Sequence, residues 1–232
     1  MSAISANLQA VKNDIAAATQ QAGRPASAVT LLAVSKTVPA AVVRAAFDAG
    51  QTAFGENYVQ EGIDKIAALA DLRAQLQWHF IGPLQSNKTR PVAEHFDWVH
   101  AIDRLRIAAR LSDQRPATLP PLQVCIQVNI SGEDSKSGVV PAEVLPLARA
   151  IAALPRLRLR GLMAIPAPAH DPAAQRRPFA AMRVLLGQLR EAGLEVDTLS
   201  MGMSGDMAAA IAEGATLVRI GTAIFGARPR TA

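Results

Sequence analysis

The chain has 232 residues, half of them hydrophobic and 19% charged, with a formal net charge of +5, a composition that supports a sizeable core and excludes a disordered or fibrous protein. No apolar run approaches the roughly 18 residues of a membrane helix and no charged-then-apolar leader opens the chain, so the expected location is the cytoplasm. The single Cys125 excludes an internal disulfide framework, four scattered His give no metal-ligand spacing, and the positive charge forms no basic run interleaved with aromatics, so neither a metal nor a nucleic acid is expected as a partner.

In chain order, Ile4, Leu8, Val11, Ile15 and Ala18 recur near a helical period and predict an amphipathic opening helix over residues 3 to 22, stopped near Gly23-Arg24-Pro25. After it, short apolar runs alternate with helical stretches. Strands are predicted at 29–34, 53–55, 77–81, 96–101, 122–130, 157–163, 198–201 and 217–220. Helices are predicted at 39–48, 58–70, 87–94, 103–113, 141–153, 173–192 and 206–213, the fourth of these capped by Asp103. The stretch Arg115 to Pro121 reads as a connection and Ser131 to Gly138 as a polar loop. Gly221 opens a last short segment, and Ala227 to Ala232 reads as a loose tail. Eight strands alternating with helices, without a composition break, predict a single (β/α)8 TIM-type barrel with an extra N-terminal helix, in one domain over residues 1–232; an open parallel sheet is the alternative.

In such a barrel the active face lies at the C-terminal strand ends. Lys36 follows the first strand directly, in Leu31-Leu32-Ala33-Val34-Ser35-Lys36-Thr37, and is either an ammonium reaching water or a group with a chemical task. Ser200-Met201-Gly202-Met203-Ser204-Gly205 after the seventh strand and Gly221-Thr222 after the eighth both place glycine and hydroxyl residues at helix starts, where backbone N–H groups suit a phosphate; each could equally be a turn or cap. Arg219 alternates toward the barrel mouth and needs a partner there, a ligand or a carboxylate such as Asp206 or Glu56. No G-x-G-x-x-G or P-loop spacing is present. An amine facing a phosphate cup, with a fixed cation beside the cup, fits pyridoxal 5'-phosphate (PLP), which carries an aldehyde, a phosphate and a ring nitrogen.

Several motifs in order resemble the pyridoxal phosphate homeostasis protein family: the 31–37 stretch, Phe54-Gly55-Glu56-Asn57-Tyr58, Trp78-His79-Phe80-Ile81-Gly82 with Leu84-Gln85-Ser86-Asn87-Lys88, Val128-Asn129, Gly161-Leu162-Met163, Ser200 to Ser204, and Val218 to Gly226. That family is similar in fold to the N-terminal barrel of alanine racemase, a fold-type III PLP-binding barrel. By position, the resemblance implies that Lys36 forms the internal aldimine and that Asn57 approaches the ring oxygen. It further implies that Ser200, Ser204, Gly221 and Thr222 surround the phosphate and that Arg219 meets the pyridine nitrogen. His79 and Met163 are expected only in the pocket wall. Val38 departs from the pattern, which often has a second lysine there.

An arginine keeps its proton, so the ring nitrogen beside it is a weakened electron sink. Racemisation then needs two placed acid–base groups. The racemase fold takes its second from a tyrosine of a separate C-terminal domain, whereas this chain ends at Ala232 and its one tyrosine, Tyr58, begins a helix. The expectation is therefore a PLP-binding protein that holds the cofactor on Lys36, without catalytic residues, and contributes to vitamin B6 and amino acid homeostasis. The resemblance suggests a monomer, with PLP-dependent apoenzymes as partners. The alternatives are a small PLP-dependent racemase or lyase using Lys36 as a base, and a phosphosugar barrel enzyme whose lysine forms an imine with substrate.

Overall fold

The run Thr30–Val34 forms the first strand, β1, because its branched and apolar side chains fit a pleated surface covered on both sides. The computed structural model describes residues 2–133, 137–169 and 171–226. The tail expectation for 227–232 and the middle of the 131–138 loop lie outside these residues. Among the described residues seven further strands follow, β2 (Ala53–Glu56), β3 (Gln77–Phe80), β4 (Trp98–Ile102), β5 (Leu122–Gln127), β6 (Leu157–Met163), β7 (Thr198–Ser200) and β8 (Leu217–Ile220). All neighbours pair in parallel, and β8 returns to β1 to close the barrel in the order β1 to β8. Before β1 lies helix α1 (Ala3–Gln21). Between and after the strands come α2 (Ala40–Asp48), α3 (Val59–Ala68), α4 (Thr89–His95), α5 (Leu105–Gln114), α6 (Val144–Ala152), α7 (Pro172–Glu191), α8 (Met207–Ala212) and α9 (Thr222–Phe225). The closed barrel is thus the architecture that the strand–helix alternation predicts.

Alternation sorts the strand residues into two layers. Ala33, Phe54, Trp78, Phe80, Val124 and Leu199 pack outward under the helices in the main core, whereas Leu32, Ala53 and Leu217 form one small interior cluster and Ala101, Cys125 and Met163 another. Barrel interiors are usually filled by branched apolar residues. Here His79, His100, Ser200 and Arg219, all buried, share the interior with those clusters. Helix α1 is capped by Ser2, whose Oγ accepts from the Ser5 N–H at 3.3 Å, and it buries Leu8, Val11, Ile15 and Ala18. It is tied to α9 by Asn7, whose Nδ2 donates to the Ile224 carbonyl at 3.0 Å. Among the described residues no helix is long and apolar enough to cross a membrane.

Several boundaries differ from the sequence reading. Asp103 does not cap α5. Arg104 holds the N-cap position, and the Asp103 carboxylate instead accepts two hydrogen bonds from Arg104 at 2.8 and 2.9 Å. Strand β5 stops at Gln127 because the chain beyond it pairs with the returning loop: Val139 N–H donates to the Gln127 carbonyl and Asn129 N–H to the Val139 carbonyl, each at 2.9 Å. The stretch from Pro141 begins with one 3-10 turn before α6.

Strands β6 and β7 meet at Gly161, where φ is 153° and a Cβ would lie 2.0 Å from the Thr198 carbonyl oxygen. Gly161→Ala is expected to push these strands apart and lower the urea-unfolding free energy by about 2 kcal/mol or more.

Candidate functional site

The loop after β1 is held from three directions. Ser35 is fully buried, and its hydroxyl donates to Glu56 Oε1 at 2.6 Å. The Lys65 ammonium, on α3, donates to the Ser35 carbonyl at 2.6 Å, to Glu56 Oε1 at 2.8 Å and to Glu61 Oε1 at 2.6 Å. Glu61 also accepts the Thr37 N–H. Lys36 therefore sits between two clamped neighbours. Thr37 adopts φ of 63°, a left-handed conformation that a β-branched residue reaches at a cost of about 1–3 kcal/mol and keeps only where its surroundings enforce it. Burial raises the Glu56 carboxyl above its ordinary pKa, against the attraction and hydrogen bonds of Lys65 and the hydrogen bond from Ser35.

A second set of bonds fixes Arg219. Its Nη1 donates to the Ser200 carbonyl at 2.6 Å and to Ser200 Oγ at 2.7 Å, and its Nη2 donates to the Ala164 carbonyl at 2.8 Å. The carboxylate partners open in the sequence are not used: Glu56 is engaged by Lys65, and Asp206 accepts the Met203 N–H at 2.6 Å. Burial lowers the guanidinium to about 10, with Asp206 opposing, so it stays charged at neutral pH. Ser200 Oγ also lies 2.8 Å from His100 Nδ1, and His100 Nε2 lies 2.9 Å from His79 Nδ1.

Lys36, Asn57, Ser204, Arg219, Gly221 and Thr222 line one cavity of about 360 Å³ at the C-terminal face, together with Val34, Ile81, Ile165, Met203 and Gly205. That volume falls in the range of roughly 300–1,000 Å³ usual for small-molecule pockets. Six of the seven expected site residues are thus brought together across elements from β1 to α9. Ser204 and Thr222 are exposed, and the first N–H groups of α9 have no acceptor within the helix. The Oδ1 of Asn57 is buried without a hydrogen-bond partner among the described residues.

Three expectations need correction. Ser200 does not face the cavity: it is fully buried, and its hydroxyl is taken by Arg219 and His100 beneath the cavity floor. His79 points inward from the middle of β3 and lines a cavity at the opposite, N-terminal mouth with Gln77, Trp98 and Thr198. Met163 is 1% exposed in the interior cluster with Ala101 and Cys125 rather than in the pocket wall. The sequence reading gave no role to Lys65, Glu61 or His100. The spacing of Glu61 and Lys65, four residues apart on a helix, carried a signal of pairing, but none of burial.

The family described as alanine racemase, N-terminal domain, matches residues 6–229. A protein of Pseudomonas aeruginosa named pyridoxal phosphate homeostasis protein is 62% identical over 228 residues, covering 98% of this chain and 97% of that one. The protein of the same name from Escherichia coli is 61% identical over 229 residues, covering 98% of each. Among solved structures, PipY of Synechococcus elongatus PCC7942 with PLP bound has a TM-score of 0.82 at 38% identity, covering 96% of this chain and all of that one. Alanine racemase of Corynebacterium glutamicum has a TM-score of 0.69 at 22% identity, covering 99% of this chain and 62% of that one, a likeness of fold alone.

Removing the cation under the Lys36 loop leaves Glu56 buried without its countercharge. Lys65→Met is expected to cost about 3 kcal/mol in urea unfolding, and the Glu56→Gln/Lys65→Met double variant less than the sum of the single changes. Burial also lowers His79 from 6.5 to about 3, and His100 well below its ordinary value. The unfolded chain takes up those protons below pH 6.5 and the folded chain does not, so the stabilisation is complete above pH 6.5 and is lost as pH falls toward 3. His79→Gln is expected to flatten that acid limb by about 1.4 kcal/mol per pH unit, measured as unfolding free energy against pH.

Proposed function

The chain belongs to the pyridoxal phosphate homeostasis protein family, within the wider family of alanine racemase N-terminal domains, and on that premise we propose that it binds PLP with Lys36 as the covalent tether. In this reading it holds the cofactor, protects it and hands it on to PLP-dependent apoenzymes, and so contributes to intracellular vitamin B6 and amino acid homeostasis without substantial turnover. The barrel acts as one PLP-binding domain over residues 1–232, as a monomer in the cytoplasm.

The observation that carries the reading is the convergence of Lys36, Arg219, Asn57 and the Ser204, Gly221 and Thr222 positions on one cavity. This donor set fits the cofactor. Ser204 and Thr222 offer hydroxyls, and the first turn of α9 offers N–H groups to a phosphate, with no carboxylate among the described wall residues to repel it. The buried Oδ1 of Asn57 has unmet accepting capacity, which a hydroxyl on the ring would use. When bound, PLP supplies an electrophilic aldehyde and a pyridine ring that withdraws electrons. Lys36 would be the nucleophile for that aldehyde, and the clamp on Ser35 and Thr37 fixes the backbone from which it reaches. Arg219 would hold the ring nitrogen as a donor and would give up no proton to it.

Holding is favoured over catalysis because the only ionisable side chains among the described wall residues are Lys36 and Arg219. Proton transfer at a substrate carbon on two faces needs a second base. Tyr58 is 57% exposed and is not among the wall residues, so it does not supply one.

After excess PLP is removed by gel filtration, the chain is expected to retain a visible absorption band that Lys36→Ala abolishes. Amino acids added in deuterated water are expected to show no sustained Lys36-dependent exchange of the Cα hydrogen. Exchange at an enzymatic rate would make the chain a racemase or lyase, and a chain that retains no PLP band after gel filtration would refute the cofactor assignment and favour an imine-forming phosphosugar enzyme.

A further inference from the structure

Two of the four histidines, His79 and His100, are buried inside the barrel, and the binding reading gives neither a task. Their bonding order follows from donor chemistry. Burial keeps both imidazoles neutral, so each ring has one N–H donor and one bare acceptor nitrogen. The guanidinium of Arg219 only donates, so Ser200 Oγ accepts from Nη1 at 2.7 Å. The serine hydroxyl proton then needs an acceptor, and His100 Nδ1 stands 2.8 Å away. With Nδ1 accepting, His100 carries its proton on Nε2 and donates it across 2.9 Å to His79 Nδ1. His79 is then left with a proton on Nε2, a buried atom that has no partner among the described residues. Its ring is held flat against Trp98, 5.1 Å between centroids at 11°. The opposite order, with both imidazoles donating toward Ser200, would load the serine oxygen with two donors and leave its own proton without an acceptor among these contacts.

We propose that His100, backed by His79, is a positioning residue for Arg219: it takes the Ser200 hydroxyl proton and so turns that oxygen's acceptor side to the guanidinium, fixing the face Arg219 presents to the cavity. The relay runs through the interior from the N-terminal mouth, where His79 lies, to the C-terminal face, where Arg219 lies. It accounts for a polar column in a part of the barrel that apolar side chains usually fill. Neutral partners anchor Arg219 without neutralising it, so its charge remains directed at whatever occupies the cavity. A carboxylate partner would have cancelled that charge. The proposal deepens the PLP-binding reading and rests on it for the identity of the occupant.

The test uses the full chain. In the PLP-loaded protein, Ser200→Ala and His100→Leu are each expected to shift the visible absorption maximum in the same direction and to speed PLP release about tenfold, a factor worth about 1.4 kcal/mol. The double variant is expected to do no more than either single change, because both break one chain of contacts. His100→Asn, whose side-chain oxygen can replace the Nδ1 acceptor, is expected to restore most of the wild-type spectrum. A His100→Leu protein with unchanged absorption and release would overturn the proposal, as would a double variant showing the full sum of two independent effects. Nitrogen-15 NMR of the wild-type chain without PLP supplies a readout that needs neither the variants to fold nor the cofactor to bind. Both imidazoles are expected as neutral Nε2–H tautomers, and a proton on His100 Nδ1 would overturn the relay. If the wild-type chain takes up no PLP, the functional reading fails, and the tautomers alone then decide the relay.

Discussion

The Lys65 ammonium, buried under the loop after β1, is the interaction on which the site depends. An ammonium withdrawn from water is stable only when its donors are taken, and here they go to the Ser35 carbonyl, Glu56 and Glu61. Each of those acceptors does a second job. Ser35 is bonded to Glu56 through its side chain, and Glu61 receives the Thr37 N–H. One cation thereby holds the residues on both sides of Lys36, and the left-handed Thr37 is kept in a conformation it would otherwise leave. The backbone around Lys36 is held by charge buried outside the barrel wall, between β2 and α3.

The barrel interior solves the complementary problem for Arg219. A guanidinium at 5% exposure needs acceptors, and the structure gives it two carbonyls and one hydroxyl instead of an anion. Its charge is therefore retained. A fixed, donor-only cation suits the binding of an anionic, ring-bearing cofactor and ill suits the protonation of a ring nitrogen. The two buried clusters meet at one cavity: one fixes the backbone on both sides of Lys36, the other fixes Arg219, and the described wall between them offers no further acid or base.

Much of this was legible in the sequence. An apolar run leading straight into Ser35-Lys36 could be read as a strand delivering an amine, and glycine with hydroxyls after the last two strands could be read as a cup, because both signals are local. Alternation of strands and helices likewise gave the closed barrel. Depth was not legible. Ser200 and Ser204 look alike in one motif, yet Ser200 ends β7 facing the interior while Ser204 lies in the exposed loop beyond it. Lys65 reads as a solvated helix residue until α3 is laid against β2. His79 and His100 lie 21 residues apart, on neighbouring strands, and only the β3–β4 pairing brings their rings together. Long-range register and the angle at which helices cover the barrel determine these contacts, and neither is written in residue spacing.

The central claim is that one lysine, held by its neighbours, is the covalent anchor of the cofactor. Borohydride reduction of the PLP-loaded chain, followed by peptide mapping by mass spectrometry, tests it most directly. The account expects a single stoichiometric phosphopyridoxyl label on Lys36. A dominant label on Lys12, Lys65, Lys88 or Lys136, with Lys36 unmodified, would contradict it.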